Sequence, residues 1–338
     1  MNEHAVCPPT PPLPLLITGL AGVAGYNAFH YFRRRYGEQV IGVRQADNWP
    51  LQGEGIAACD AEDLAELRRL FDRHQFRSVL NCAGNCKLKG CELAPEIAER
   101  INIGGVRNLI EVLEGTSTRL VHLSIDLVFS GAGAGEYEET AAADPVTVYG
   151  RTVAEAEDLL LQRYPAACLL RISLPMGVSF NGHAGAIDWI QSRFRKGRPA
   201  TLYYDEIRTP TYVDCLNEVC ERMLAGPWHG LFHAGGPQRL SLYQIAQIVN
   251  RVGGYDPKLL MGCFRRQAGP IPPRAGNVSM NSGKLRRLLG VEPFQPWPAD
   301  ERLLPTHTGW HAEPGWRGSP EALEELLYGR GRLAARLQ

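Results

Sequence analysis

Three glycines, at positions 19, 22 and 25, punctuate the run Leu15-Leu16-Ile17-Thr18-Gly19-Leu20-Ala21-Gly22-Val23-Ala24-Gly25. An apolar run enters this turn and a helical pattern, Tyr26 to Tyr36, leaves it. That order suits an anion, because the free N–H groups at a helix start face it. Gly19 would permit the tight turn, Gly22 would let the backbone reach a pyrophosphate, and Gly25 would let helix pack on strand. Leu20, Ala21, Val23 and Ala24 complete the expected cofactor loop. The spacing is Gly-x-x-Gly-x-x-Gly after a Thr, not the Gly-x-Gly-x-x-Gly of classical dinucleotide turns, and a glycine-rich turn without a ligand is the plain alternative. Arg44 follows the next apolar run, Val40 to Val43, where a carboxylate would hold the ribose 2′-OH of NAD. A cation there suits a 2′-phosphate and favours NADP(H) over NAD(H); a solvated surface arginine is the other reading. Asp60, after Cys59, either meets an adenine amino group or caps a helix beginning at Ala61.

The elements that must position these residues alternate. Helical periodicity marks Ala61–His74 through Leu64, Leu67, Leu70 and Phe71. Ser78 to Asn81 is a strand ending in the small turn Cys82-Ala83-Gly84. Ala83 and Gly84 should lie over the cofactor, because open parallel sheets bind ligands at the carboxyl ends of their strands. A helix over 95–113 carries Asn102 in its middle, which is unfavourable unless the side chain is used. Arg119 to Ser124 is a strand, and after a polar loop Pro145 to Tyr149 opens a helix that runs to about Tyr164. This pattern predicts an α/β fold, a Rossmann-type doubly wound parallel sheet with a smaller C-terminal α/β substrate-binding domain. The expected bounds are a Pro-rich leader, 1–14, a dinucleotide-binding domain, 15–175, and a substrate-binding region, 176–338, with segments near 200–235 returning to the first domain. Helices are expected near 184–195, 214–224 and 241–252, the last opened by a capping box at Ser241. Ser319-Pro320 should start a final helix. His122 reads as a packed core histidine.

Composition excludes several classes. Lys+Arg and Asp+Glu both number 36, which gives no electrostatic case for nucleic acid or anionic membrane. No apolar run approaches the ~20 residues of a membrane span. Nine scattered cysteines argue against a disulfide framework and for a reducing, cytoplasmic compartment. Cys82, Cys86 and Cys91 lack zinc spacing, so no metal is expected.

Several stretches, in order over roughly residues 15–290, resemble an extended short-chain dehydrogenase/reductase. They are Thr18 to Gly25, Asn81 to Gly84, Ile101 to Leu109, Ser124 to Phe129, Val148 to Thr152, Arg208 to Asp214 and Arg274 to Leu285. More narrowly, the chain is similar to the dTDP-4-dehydrorhamnose reductase group, which also includes the regulatory β subunit of methionine adenosyltransferase. The resemblance implies a Tyr that donates a proton to a carbonyl oxygen, a Lys one helical turn later that lowers its pKa, and a Ser or Thr that orients the carbonyl. Tyr149 stands in the Tyr position and is also expected at the cofactor. The Lys position is Val153 and the Thr position is Ile125. An unassisted Tyr keeps a pKa of ~10 and is a poor acid at neutral pH. Ser124 is the nearest remaining hydroxyl, although a strand points it away from Ile125's face. Arg151 lies on the wrong face of its helix.

The resemblance makes Tyr149, Ser124 and Asp126 the expected catalytic set. Asn102 joins the cofactor residues, and Cys86, Asp126, Arg208 and Arg274 are the expected substrate contacts. Asp126 either points into the substrate site or caps the next turn. Arg274 either forks onto a diphosphate or is a surface arginine. Two functions are then open. One is an NADP(H)-dependent reductase of a nucleotide sugar or related keto substrate with an atypical active site. The other is a catalytically inactive NADP(H)-binding regulator or sensor. A homodimer through helices 95–113 and 149–164 is the family expectation.

Overall fold

In the computed structural model, which describes residues 10–329, the apolar runs form one seven-stranded parallel sheet. Its strands are β1 (Leu15–Ile17), β2 (Val40–Arg44), β3 (Ile56–Ala58), β4 (Ser78–Asn81), β5 (Arg119–Ile125), β6 (Cys168–Ile172) and a last strand, Gly230–Ala234. The spatial order is Gly230–Ala234, β6, β5, β4, β1, β2, β3. Every residue of β1 and β4 is buried, as expected where helices cover both faces of a parallel sheet.

On one face, Phe29 and Phe32 of α1 (Val23–Tyr36) pack with Leu15 and Ile17. On the other, Leu67 and Leu70 of α2 (Leu64–His74) pack with Leu16 and Val79. The chain crosses from the β2–β3 side to the β4 side between β1 and β4, so a topological switch point lies at their carboxyl ends.

Two expected helices differ from the pattern. α2 starts at Leu64 rather than Ala61, because Asp63, not Asp60, accepts the Glu66 N–H at 2.9 Å as its cap. The helix expected over 95–113 is α4 (Pro95–Glu99), a π-helical turn over Arg100–Gly104, and α5 (Gly105–Leu113). The wider turn surrounds Asn102, whose side chain is fully engaged. A short helix, α3 (Leu88–Leu93), precedes them. α6 (Val148–Arg163) is capped by the Thr147 hydroxyl, which accepts the Gly150 N–H at 2.9 Å.

The later half contributes α7 (Ala186–Arg195), α8 (Val213–Ala225) and α9 (Leu242–Val252). Ser241 and Gln244 form the expected capping box of α9. Positions 1–9 of the expected leader lie outside the described residues. Further on, the Pro14 carbonyl accepts the Arg77 N–H at 2.9 Å and extends the β1–β4 pairing backwards. Trp297 and Trp310 are buried and hold the C-terminal stretch on the domain; Trp297 Nε1 donates to the Leu327 carbonyl at 2.9 Å.

Candidate active site

The glycine turn sits at the switch point, and its glycines divide their tasks. Gly19 has φ +71°, and a Cβ there would lie 2.3 Å from the Cys82 carbonyl oxygen. Gly25 is pressed against the turn itself, its Cβ position 2.3 Å from the Gly19 oxygen. Gly22 differs: nothing lies closer than 3.5 Å to its Cβ position. Protein packing therefore explains the first and third glycine but not the second. Gly22 is also the N-cap of α1, with no side chain capping the helix, so the first-turn N–H groups have no side-chain acceptor.

A hydrogen-bond chain ties this turn to the small turn after β4. Thr18 Oγ1 donates to Asn81 Oδ1 at 2.5 Å and accepts the Cys82 N–H at 3.1 Å. Asn81 Oδ1 also accepts the Ala83 N–H, so Asn81 Nδ2 must be the donor to His122 Nδ1 at 2.8 Å. His122 is thus neutral, and burial pushes its pKa down to about 4. It is a packed core histidine, as its strand position implies.

The same connection continues to Tyr149. Asn102 Oδ1 accepts the Asn85 N–H at 2.7 Å, and Asn102 Nδ2 donates to Thr152 Oγ1 at 2.8 Å. Thr152 Oγ1 donates in turn to the Tyr149 carbonyl at 3.0 Å. Asn102 thereby locks the loop after β4 to α6, one helix bearing Tyr149. Gly150 lets that helix approach closely, since a Cβ there would lie 2.1 Å from the Leu127 oxygen.

Tyr149 is 8% exposed, and its hydroxyl has no hydrogen-bond partner among the described residues. Burial pushes it well above 10; Cys86 and Asp126 raise it further, and Arg208 pulls it down. Cys86 itself is exposed. One turn along, Val153 packs with Tyr149, Leu127, Phe129 and Met280 in one apolar cluster, and Ile125 packs against it. Arg151 faces away, 3.2 Å from Glu99. The hydroxyl, ammonium and phenol expected of the resemblance are here one phenol in an apolar setting.

Four expected site residues spend their polar atoms on protein partners. Ser124 does not face Tyr149: its hydroxyl donates to Glu157, which pairs with Arg171 at 2.6 Å, and all three are buried. Asp126 is 0% exposed and Arg208 3%. They bond to each other, and Asp126 Oδ2 also accepts from Ser173 Oγ at 2.5 Å. Burial pushes the Asp126 carboxyl above the usual carboxylate range, against the pull of Arg208. Arg274 spends its fork on Glu206, with Nη2 2.6 Å from Oε2, and lies over the Tyr203 ring. Glu206 also stands 3.5 Å from Arg208, so one buried carboxylate joins both arginines. Glu157, Arg171 and Glu206 were absent from the expected site. Charged residues inside apolar runs, as at Arg171, were the available signal.

Arg44 stays at the end of β2, where Nη1 donates to the carbonyls of Gln45 at 2.7 Å and Ala46 at 3.0 Å. Asp60 accepts the Ala46 N–H at 3.0 Å, so it steadies this loop rather than a helix. Among the described residues no group of three or more His, Cys, Asp or Glu could hold a metal ion, and no helix is long and apolar enough to cross a membrane.

Residues 13–303 match the family described as RmlD substrate binding domain. The chain belongs to this family. Within it, the chain is 29% identical over 237 residues to a dTDP-4-dehydrorhamnose reductase of Aggregatibacter actinomycetemcomitans, covering 66% of this chain and 79% of that one. It is 28% identical over 268 residues to a dTDP-4-keto-6-deoxy-D-glucose reductase of Streptomyces niveus, covering 77% and 90%. It is also 25% identical over 265 residues to the methionine adenosyltransferase 2 subunit beta of Xenopus laevis, covering 75% and 79%. The fold matches the structure of a hypothetical dTDP-4-dehydrorhamnose reductase from Sulfolobus tokodaii with a TM-score of 0.71 at 21% identity, covering 82% and 95%. A Bacillus anthracis dTDP-4-dehydrorhamnose reductase, solved in complex with NADP, matches with a TM-score of 0.69 at 18% identity, covering 84% and 95%. The relatives therefore include both named reductases and a named subunit of another enzyme.

Proposed function

We propose that this chain binds NADP(H) at the glycine turn and reduces the keto group of a nucleotide sugar, with Tyr149 as its proton donor. The observation that carries the binding half is Gly22: no neighbouring atom requires a glycine there, whereas an approaching pyrophosphate would. Residues 19–25 would hold the diphosphate, Arg44 and Asp60 the adenosine end, and Ala83, Gly84 and Asn102 the wall facing it. Arg44 favours the 2′-phosphate of NADP(H). Bound NADPH would supply the hydride.

Tyr149 would supply the proton to the carbonyl oxygen. Its hydroxyl is protonated at neutral pH and carries no competing hydrogen bond. Without a neighbouring ammonium it is a weak acid, and a well-tuned general acid is worth ~10²–10⁴ in rate. Slow turnover follows. Cys86, exposed on the Tyr149 side, would contact substrate. A dimer through α4, α5 and α6 fits the exposure of Leu93 just before α4, at 64%, and of Ile97 within it, at 37%. A reducing, cytoplasmic setting fits the free state of all eight described cysteines.

The inactive-regulator reading is favoured by one observation: Ile125 and Val153 put apolar packing where the resemblance implies a hydroxyl and an ammonium. Two measurements separate the readings. NADPH titration of protein fluorescence tests binding, and loss of NADPH absorbance with dTDP-4-dehydrorhamnose tests turnover. Binding with turnover above the protein-free rate supports the reductase. Binding without turnover on any keto sugar supports the regulator. No nicotinamide binding sinks both.

A further inference from the structure

The matched family segment ends at residue 303, yet the chain continues and folds back onto the domain. This tail is fixed at several points. Leu323 and Leu327 are fully buried, Tyr212 Oη donates to the Leu326 carbonyl at 2.9 Å, and Trp297 Nε1 donates to the Leu327 carbonyl at 2.9 Å. The next residue, Tyr328, extends its hydroxyl to Asp188 Oδ1 at 2.7 Å.

Asp188 is 5% exposed and sits in the first turn of α7. Its other oxygen, Oδ2, accepts the Gly185 N–H at 3.2 Å and the Ser179 hydroxyl. The Ser179 oxygen accepts the Ala184 N–H at 3.4 Å. One carboxylate thus ties Ser179 to Gly185 across the loop 177–185 while the tail holds the carboxylate. Burial and the Asp188 charge push the Tyr328 hydroxyl up, so it remains the donor throughout the neutral range.

The loop's far side lies on the start of α1. Asn27 Nδ2 donates to the Val178 carbonyl at 2.7 Å and to the Val23 carbonyl at 2.8 Å. A Cβ on Gly185 would lie 3.2 Å from Val23 Cγ2, and the Phe180 and Tyr26 rings are 6.5 Å apart. Val23 is the first residue of α1, next to Gly22. We infer that the C-terminal tail, through Tyr328 and Asp188, is a strap that holds loop 177–185 against the α1 N-terminus and so shapes the nucleotide-binding turn. Tyr328 and Asp188 are positioning residues in this account. The effect on the nucleotide rests on the cofactor reading above, whereas the effect on the loop does not.

The test uses the full chain and Tyr328→Phe, which removes one hydroxyl and keeps the ring. Thermolysin cleavage within 177–185 is timed against cleavage within the loop 268–276 of the same molecule, which is exposed at residues 269–271. The strap predicts cleavage at 177–185 several-fold faster in the variant, with 268–276 unchanged. It also predicts an NADPH Kd raised several-fold. Asn27→Ala releases the same loop from the helix side, so adding it to Tyr328→Phe should give less than the product of the two separate effects on cleavage. Equal acceleration of both loops, or none, overturns the strap, because a general loss of stability does not distinguish them. Selective acceleration with an unchanged NADPH Kd overturns the link to the nucleotide turn. Selective acceleration in a chain that binds no nicotinamide supports the strap on the loop and overturns the cofactor reading alone.

Discussion

Arg208 grips Asp126 with two parallel bonds, Nε to Oδ2 at 2.7 Å and Nη2 to Oδ1 at 2.5 Å, and both side chains are buried. The pair joins the exit of β5 to the segment that returns from the second half of the chain. Removing one partner leaves the other charge buried without its match, which costs ~3–5 kcal/mol. Asp126→Asn should therefore lower stability by about this amount, since Glu206 at 3.5 Å compensates Arg208 only partly. Replacing both residues with apolar ones of similar volume should recover most of the loss. Urea unfolding of the single and double variants checks this; additive losses would show that the two side chains act independently.

The three glycines of the turn should respond differently to the same methyl group. Gly19→Ala places a Cβ 2.3 Å from a backbone oxygen at φ +71° and should destabilise the fold severely. Gly22→Ala meets nothing closer than 3.5 Å and has an ordinary φ of −87°, so its stability should fall by no more than ~1 kcal/mol, the cost of Ala for Gly at an N-cap. Its NADPH affinity should nonetheless fall at least tenfold. Thermal unfolding paired with fluorescence titration separates the two effects, and an unchanged affinity in Gly22→Ala would remove the argument for a ligand at this turn.

The fold was legible because its signals are local. The apolar runs at Leu15–Ile17 and Ser78–Asn81, the glycine turn and the Ser241 capping box each show their type in a few neighbouring residues, even though strand pairing and the Gly19–Cys82 approach complete them at long range. Around the proposed site, what was legible was each residue's place in the fold: Gly19 in its turn, Asn102 with its side chain engaged inside a helix, and Tyr149 in the first turn of α6. The site was illegible where a charge chooses its partner across the fold. Nothing near Arg274 in sequence announces that Glu206 will take its guanidinium. Nothing near Ser124 announces Glu157, 33 residues away. The π-helical turn was hidden for a related reason, since the bonds that reward it run from Asn102 to Asn85 and Thr152.

Two buried histidines should make stability fall in acid. Burial pushes His122 down to about 4, and burial with the Arg171 charge nearby does the same to His233. Both folded values lie below the unfolded value of ~6.5, so the unfolded chain binds protons first as pH falls. The stability they contribute is present above ~6.5 and is lost between there and about 4. Lowering the pH from 6.5 to 5 should cost ~3 kcal/mol for the two together, since each reaches its full slope of about 1.36 kcal/mol per pH unit only once the unfolded imidazole is mostly protonated. His122→Gln, which keeps an acceptor for Asn81, should remove about half of this slope in urea titrations across pH. An unchanged slope would mean that His122 is not neutral in the fold.

The phenol should reveal its missing partners in a pH–rate profile. With its pKa well above 10, Tyr149 stays protonated through the alkaline range, so its titration should produce no fall in turnover up to about pH 9. Val153→Lys places an ammonium one turn from Tyr149, which should lower the phenol pKa and bring a falling alkaline limb into view. Combined with Ile125→Thr, it should raise turnover of dTDP-4-dehydrorhamnose by at least tenfold, because it improves the acid and orients the carbonyl. The double variant should also lose some stability, since Val153 is 9% exposed and packs in an apolar cluster that a lysine disrupts. Tyr149→Phe in that background should abolish the gain. If Tyr149→Phe leaves turnover unchanged in the native chain, the proton comes from solvent and Tyr149 is a packing residue. If no variant turns over while NADPH still binds, the apolar cluster around Ile125 and Val153 has closed the substrate side, and the regulator reading stands.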